Sequence, residues 1–223
     1  MKTCVIIPAF NESKEISGLV EKIKAINPHI LVVDDGSDDS TAQIALSAGA
    51  VVLKNSSNEG KGLCLRKGFK YALENNFDAV ITMDGDGQHL PEDLPNFLRL
   101  GDDPNADIVV GNRMLKTQDM PFIRVVTNRF MSWLISLLSK QKIPDTQCGY
   151  RLIKRRVLEK LELKTSNFEI ETEILINASR MGFKIRSVPI KTVYRGEKSQ
   201  INPLVDTIRF LKFILRQSQG TRQ

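Results

Sequence analysis

The sequence predicts an α/β fold, a doubly wound, mainly parallel sheet of Rossmann-like type in a single domain. Three observations predict it. Short apolar, β-branched runs recur through the first half of the chain, segments with helical spacing separate them, and polar, Gly-containing clusters follow several of the runs. With 223 residues, 41% hydrophobic and 26% charged, the chain can bury one substantial core.

In chain order, CVII at Cys4–Ile7 reads as the first buried strand. A helix follows, with Ser13 as its N-cap and Ile16, Leu19, Val20, Ile23 and Ile26 recurring at intervals of three and four. ILVV at Ile30–Val33 is the second strand, and Asp38 or Asp39 caps a helix carrying Ala42, Ala45 and Leu46. AVVL at Ala50–Leu53 is the third strand, followed by a helix with Leu63, Leu65, Phe69 and Leu73. AVITM at Ala79–Met83 and DIVV at Asp107–Val110 complete the strands of this half. Beyond them the spacing predicts helices over Phe122–Ser139, around Ile170, Ile174, Ile176 and Ala178, and over residues 204–217, with a strand near Lys184–Val188. Residues 1–112 and 113–223 read as two halves of the same domain.

Charge is divided unevenly. The net charge is +6, yet residues 1–112 hold 10 Lys and Arg against 17 Asp and Glu, and residues 113–223 hold 22 against 9. A uniformly basic nucleic-acid binder would not show this split, so no nucleic-acid partner is expected. The three cysteines, Cys4, Cys64 and Cys148, have neither disulfide-framework nor zinc spacing, which suits a reduced, cytoplasmic setting. No apolar run reaches the length of a membrane span.

In a doubly wound sheet, ligands bind beyond the carboxyl ends of the strands, so the clusters there carry the chemistry. They are Pro8-Ala-Phe10-Asn-Glu12, Asp34-Asp35-Gly-Ser and Asp84-Gly85-Asp86-Gly-Gln88-His89. Two carboxylates separated by one small residue can face one ligand, and they repel each other unless a cation intervenes. A hard divalent ion, Mg²⁺ or Mn²⁺, suits Asp84 and Asp86, with Gln88 adding a carbonyl oxygen. Asp34 and Asp35 stand where such a fold offers acceptors to ribose hydroxyls or base edges. Neither GxGxxG after the first strand nor GxxxxGK[ST] occurs, which argues against dinucleotide and P-loop sites. Asn58-Glu-Gly-Lys61-Gly reads as a helix-start turn beside the nucleotide.

PAFNE from Pro8, DDGSxDxT from Asp34, NxGKG from Asn58, MDGDGQHxP from Met83, GNR from Gly111 and DTQCGYR from Asp145 to Arg151 together resemble the family 2 glycosyltransferases of GT-A fold. The polyprenyl-phosphate (dolichyl-phosphate) mannosyl- and glucosyltransferase branch is the most similar. The resemblance implies that Pro8, Phe10, Glu12 and Asp35 contact the nucleotide, and that Asp84 lies by the ribose and metal. It also implies that Asp86 and Gln88 ligate the metal and that Arg113 meets the sugar or phosphate. Gly85 and Gly87 stand where bulkier residues are usual, and Cys148-Gly-Tyr150-Arg151 replaces Ser-Gly-Phe-Arg.

The expected reaction is metal-dependent, inverting transfer of a hexose from a nucleotide-diphosphate sugar of GDP-mannose or UDP-glucose type to a polyprenyl phosphate. Arg113, Arg151, Arg195 and Lys198 are the candidate cations for the departing diphosphate and the acceptor phosphate. For a hydroxyl acceptor, the alternative, Asp145 or one of Glu169, Glu171 and Glu173 would serve as base. A non-catalytic module binding anionic membrane or nucleic acid is the rival of another class, and it leaves the acidic loops unexplained. The helices over Phe122–Ser139 and 204–217 mix apolar residues with Arg and Lys, which suits peripheral contact with the inner face of a membrane as well as packing on the sheet. A separate membrane partner or a homo-oligomer is the further partner expected.

Overall fold

Runs that are apolar without alternation need cover on both faces, and the chain supplies it by interleaving strands with helices. The elements are β1 (Thr3–Ala9), α1 (Ile16–Lys24), β2 (Ile30–Asp34), α2 (Thr41–Ser47), β3 (Val51–Lys54), α3 (Lys61–Glu74), β4 (Ala79–Thr82), α4 (Leu94–Gly101), β5 (Ile108–Asn112), α5 (Phe122–Ser139), β6 (Arg151–Lys154), α6 (Arg155–Leu158), α7 (Ile170–Arg180) and β7 (Ile185–Pro189). This computed structural model describes residues 1–118, 120–167 and 169–192. The expected helix over 204–217, and Arg195 and Lys198, lie outside the described residues.

The strands form one sheet in the order β3-β2-β1-β4-β6-β5-β7. All pairings are parallel except those of β6, which runs antiparallel to both β4 and β5. β1, β2, β4 and β5 are buried almost throughout, as their composition demands. β3 departs from the expected buried strand: it is the sheet edge, and Val51 is exposed. In α1 the apolar stripe Ile16, Leu19, Val20 and Ile23 faces inward as its spacing predicts. Ser13 does not cap that helix. Its amide instead donates to Asp39, whose carboxylate also accepts the Thr41 amide at the start of α2. Leu46, expected on the inner face of α2, is exposed, because α2 buries only Thr41 and Ala45.

Two features were not legible from periodicity. A 3-10 turn at Pro91–Asp93 leads into α4, which buries Leu94, Phe97 and Gly101. β6 is a four-residue strand with Lys154, Arg155 and Arg156 at its exit, and it runs against both neighbours. Because it is reversed, its beginning rather than its end meets the carboxyl ends of β4 and β5: Arg151 pairs with Thr82 on one side and Val110 on the other. The segment leading into β6 therefore lies at the sheet edge where the acidic loops gather.

Candidate active site

The β1 and β2 loops are tied to each other before any ligand arrives. Asn11, in the left-handed region at φ 58°, donates its amide to Ser37 Oγ at 2.9 Å and accepts the Asp38 amide at 3.0 Å on Oδ1. The Glu12 amide donates to Thr41 Oγ1 at 2.9 Å. Pro8 and Phe10 are half-buried at the end of β1.

Asp34 and Asp35 are both withdrawn from solvent. Asp34 accepts the hydroxyl and amide of Ser37 and lies 3.6 Å from Lys54 Nζ. Asp35 accepts from Asn55 Nδ2 at 2.7 Å, the Glu59 amide at 2.9 Å and the Gly60 amide at 2.8 Å. Burial pushes its pKa up, but the Glu59, Asn55 and Gly60 donors outweigh this and hold it below the usual carboxylate value. Asp35 thus anchors the turn that starts α3, where a negative charge also suits the helix dipole.

That anchoring sets Lys61, the first residue of α3, into the centre of the site. Its Nζ lies 2.5 Å from Asp84 Oδ1 and 2.7 Å from Glu171 Oε1. Burial alone would lower the lysine's pKa; the two carboxylates reverse this and raise it, so Lys61 is charged. The same contact acts on Asp84: burial raises its pKa, while Lys61, then His89 and Arg113, pull it well down. His89 is buried; its Nδ1 lies 3.9 Å from Asp84 Oδ2 and makes no hydrogen bond among the described residues.

Asp86 and Gln88 follow Asp84 on the same turn, both half-buried, and the Gln88 amide donates to Asp86 Oδ1 at 3.0 Å. Gly85 presses this turn against the end of β1, where a β-carbon would stand 3.3 Å from the Pro8 carbonyl oxygen and 3.5 Å from Glu12 Cγ. Burial and the neighbouring Asp84 charge raise the Asp86 pKa, so a cation shared with Asp84 would favour its ionised form. Asp84, Asp86 and the Gln88 side-chain carbonyl are hard oxygen donors, the chemistry Mg²⁺ and Mn²⁺ take. Among the described residues there is no cluster of three or more His, Cys, Asp or Glu suited to a metal. An ion here would fill its shell from water and ligand oxygens, as Mg²⁺ commonly does.

On the other side, Arg113 at the end of β5 is clamped by Asp145. Its Nε and Nη2 donate to the two carboxylate oxygens at 2.7 and 2.9 Å, and its amide donates at 3.0 Å. Asp145 is fully buried, so the bidentate pair fixes the direction of the guanidinium. Arg151 differs from expectation. It is 1% exposed, and its guanidinium donates to the carbonyls of Cys148, Thr146 and Glu171 at 2.7, 2.8 and 2.5 Å, with Glu171 Oε2 at 3.6 Å. It therefore shapes the 145–150 segment from beneath and does not face a phosphate.

Pro8 to Glu12, Asp34, Asp35, Lys61 and the Asp84 to Gln88 turn thus share one edge with the Arg113–Asp145 pair. Two contributors were missed as such by sequence reasoning. Glu171, read there only as one of four possible bases, is the second partner of Lys61. Gly149 lies directly under the carboxylates: a β-carbon on it would stand 2.7 Å from Asp84 Oδ2 and 3.0 Å from Glu171 Oε1. The signal for it was its place inside the DTQCGYR motif. Gly149→Ala is expected to displace Asp84 from Lys61 and lower kcat/KM by about 10²-fold, together with a lower thermal midpoint. Steady-state kinetics beside a thermal melt check this; an unchanged kcat/KM together with a lowered thermal midpoint would mean that the displaced Asp84 carboxylate does not act in the reaction.

The family model described as Glycosyl transferase family 2 matches residues 4–162. The UDP-N-acetylglucosamine–dolichyl-phosphate N-acetylglucosaminyltransferase of Methanococcus voltae is 31% identical over 85% of this chain and 85% of its own length. The undecaprenyl-phosphate mannosyltransferase of Micrococcus luteus is 30% identical over 92% of this chain and 90% of its own. In fold, the chain is similar to the glucosyl-3-phosphoglycerate synthase of Mycobacterium tuberculosis, solved with Mn²⁺, UDP and glucosyl-3-phosphoglycerate. The TM-score there is 0.73 at 19% identity, covering 93% of this chain and 75% of that one.

Proposed function

The chain belongs to glycosyl transferase family 2 and is a glycosyltransferase of GT-A fold; from that premise we propose that it transfers a hexose or N-acetylhexosamine from a nucleotide-diphosphate donor to a polyprenyl phosphate, working at a membrane surface with Mg²⁺ or Mn²⁺. The relatives named above are transferases to dolichyl or undecaprenyl phosphate, which supports the acceptor class.

One observation carries the choice of a phosphate over a hydroxyl acceptor. A hydroxyl needs a base, and three of the four carboxylates read as candidates, Asp145, Glu171 and Glu173, are already engaged. Asp145 is buried in a bidentate pair with Arg113. Glu171 holds Lys61 and neighbours Arg151, and Glu173 accepts the amides of Lys164 and Thr165 and the Thr165 hydroxyl. A polyprenyl phosphate reaches the site already ionised, so its oxygen can attack the anomeric carbon without a base as the sugar–diphosphate bond breaks and the configuration inverts.

The leaving diphosphate gathers negative charge in that step, and stabilising it is the main demand on the protein. A divalent cation on Asp84, Asp86 and Gln88 supplies charge neutralisation when bound. Lys61 keeps Asp84 ionised and oriented, and Arg113 holds its guanidinium in a direction set by Asp145. The β1 and β2 loops, locked together through Asn11 and Ser37, form the floor for the nucleotide.

The test is incubation of the chain with radiolabelled GDP-mannose, UDP-glucose or UDP-N-acetylglucosamine, undecaprenyl phosphate and Mn²⁺. The expected product is a labelled glycosyl phospholipid, absent when EDTA is added. Label that passes only to glycan or other hydroxyl acceptors would overturn the acceptor assignment.

A further inference from the structure

A lysine ammonium is a compact charge on a flexible four-carbon stem, and a single carboxylate partner leaves its direction loosely defined. At Lys61 a second carboxylate removes that freedom. Glu171, at the start of α7, holds Lys61 Nζ at 2.7 Å while Asp84 Oδ1 stands 2.5 Å from the same nitrogen. The side chains of Lys61 and Glu171 are only 15% and 11% exposed, so their attraction is screened far less than that of a surface pair.

Glu171 is itself held. Arg151, buried at the start of β6, donates to the Glu171 carbonyl at 2.5 Å and has its Nη2 3.6 Å from Glu171 Oε2. Arg151, Glu171, Lys61 and Asp84 thus form a row of alternating charge that runs from the interior to the acidic turn at the sheet edge. Each inner member has an opposite charge on both sides. Displacing one weakens two attractions at once, so the row fixes the directions of its members together.

The backbone repeats the attachment. The amides of Gly62 and Leu63 donate to the Ser166 carbonyl at 2.8 and 3.3 Å, which satisfies donors left over at the start of α3. A β-carbon on Gly62 would stand 2.7 Å from that oxygen, so this close approach needs glycine. Glu173 pins the same segment by accepting the amides of Lys164 and Thr165 and the Thr165 hydroxyl. Asp35 holds the other side of the turn through the Glu59 and Gly60 amides. These contacts set where the Lys61 side chain begins, and Glu171 sets where its ammonium ends.

We propose that Glu171 is a positioning residue of this transferase: acting through Lys61, it holds the Asp84 carboxylate in the direction that binding of the metal and donor requires. Its effect is carried by the ammonium between the two carboxylates, a role distinct from that of a base for a hydroxyl acceptor. The proposal rests on the metal and donor reading above for its purpose, whereas the row of charges stands independently of that reading.

The test is a double-mutant cycle on the full chain, with Glu171→Gln, Lys61→Met and the two combined. Glutamine keeps the length of the side chain and an acceptor for Lys61 but removes the charge. Affinity for Mn²⁺ in the presence of GDP or UDP is read from free Mn²⁺ by electron paramagnetic resonance, and kcat is measured for transfer to undecaprenyl phosphate. Thermal melts fix a temperature at which every variant is folded. Removing the partner that orients a ligating carboxylate typically costs about 10- to 100-fold in metal affinity or activity, so Glu171→Gln should weaken Mn²⁺ binding by at least about tenfold and lower kcat with it. In the Lys61→Met background the same substitution should change either by less than about twofold. Equal losses in the two backgrounds would overturn the proposal, because Glu171 would then act without Lys61, as scaffold or as base. So would wild-type Mn²⁺ affinity in Glu171→Gln. If wild type binds no Mn²⁺ with either diphosphate, the metal reading fails and the kcat cycle decides the role of Glu171. If wild type transfers to no lipid phosphate, the acceptor reading fails and the Mn²⁺ cycle decides it; failure of both would overturn the proposal with them.

Discussion

Asp86→Ala is expected to lower transfer by about 10²- to 10³-fold while leaving the protein at least as stable as wild type. The loss follows from the leaving diphosphate: removing one element of a charge-stabilising site typically costs about 3–4 kcal/mol of transition-state stabilisation. The retained stability follows from the electrostatics of the ligand-free chain. Burial and the Asp84 charge raise the Asp86 pKa in the folded state, so the ionised carboxylate opposes folding at neutral pH. Removing it relieves that opposition. Two measurements separate this from a folding defect: the thermal midpoint, expected to be unchanged or higher, and Mn²⁺ binding in the presence of a nucleoside diphosphate, expected to be lost. Retained turnover, or Mn²⁺ binding equal to wild type, would take Asp86 out of the metal site. Asp84→Asn should behave differently. Lys61 and Glu171 would be left as a pair without their third charge, so the thermal midpoint should fall along with activity.

Arg151→Met should have the largest effect on stability of any substitution near the site. The guanidinium joins three backbone carbonyls from two segments, 146–148 and Glu171, and lies beside the Glu171 carboxylate. Methionine fills much of the volume but donates nothing, so those acceptors are left buried and unpaired. Breaking a buried, hydrogen-bonded charge of this kind costs about 3–5 kcal/mol, which for a domain of this size lowers the thermal midpoint by about 10 °C. Arg151→Lys should recover only part of this, because one ammonium cannot span three acceptors arranged for a planar fork. Denaturant titrations of the three proteins check the order. A Lys variant as stable as wild type would mean that charge rather than geometry is what Arg151 supplies. Activity should fall with stability in the Met variant, because Gly149 and Asp145 are both carried by the segment that Arg151 organises.

Arg151 also shows where sequence reasoning stops. A cation inside a recognisable motif reads as a phosphate ligand, because motif position says that a residue matters without saying which way it points. Its orientation follows from β6 running against its neighbours, and a four-residue strand bounded by basic residues carries no periodicity from which direction can be read. Asp145 misleads in the same way, as a free carboxylate on paper that is a buried clamp on Arg113 in the fold. Glu171 is the converse case. It lies 110 residues from Lys61 in the chain, and nothing local marks it as the partner that Lys61 shares with Asp84.

What the sequence determined by itself is the set of strands and helices whose apolar spacing is long enough to read, and the clusters at the strand ends. β1, β2, β4, β5, α1 and α5 belong to that set, as do Pro8 to Glu12, Asp34-Asp35 and Asp84 to Gln88. These are local properties: backbone periodicity and the turn residues that end it are written in consecutive positions. The tertiary structure alone decided which charges stand at the sheet's carboxyl edge and which are spent inside the chain, and that the outer face of α5 is apolar while its inner face holds the loop that carries Asp145. Those outcomes depend on register and strand direction, which bring residues tens of positions apart to within a few ångströms, where burial and Coulomb interactions take effect.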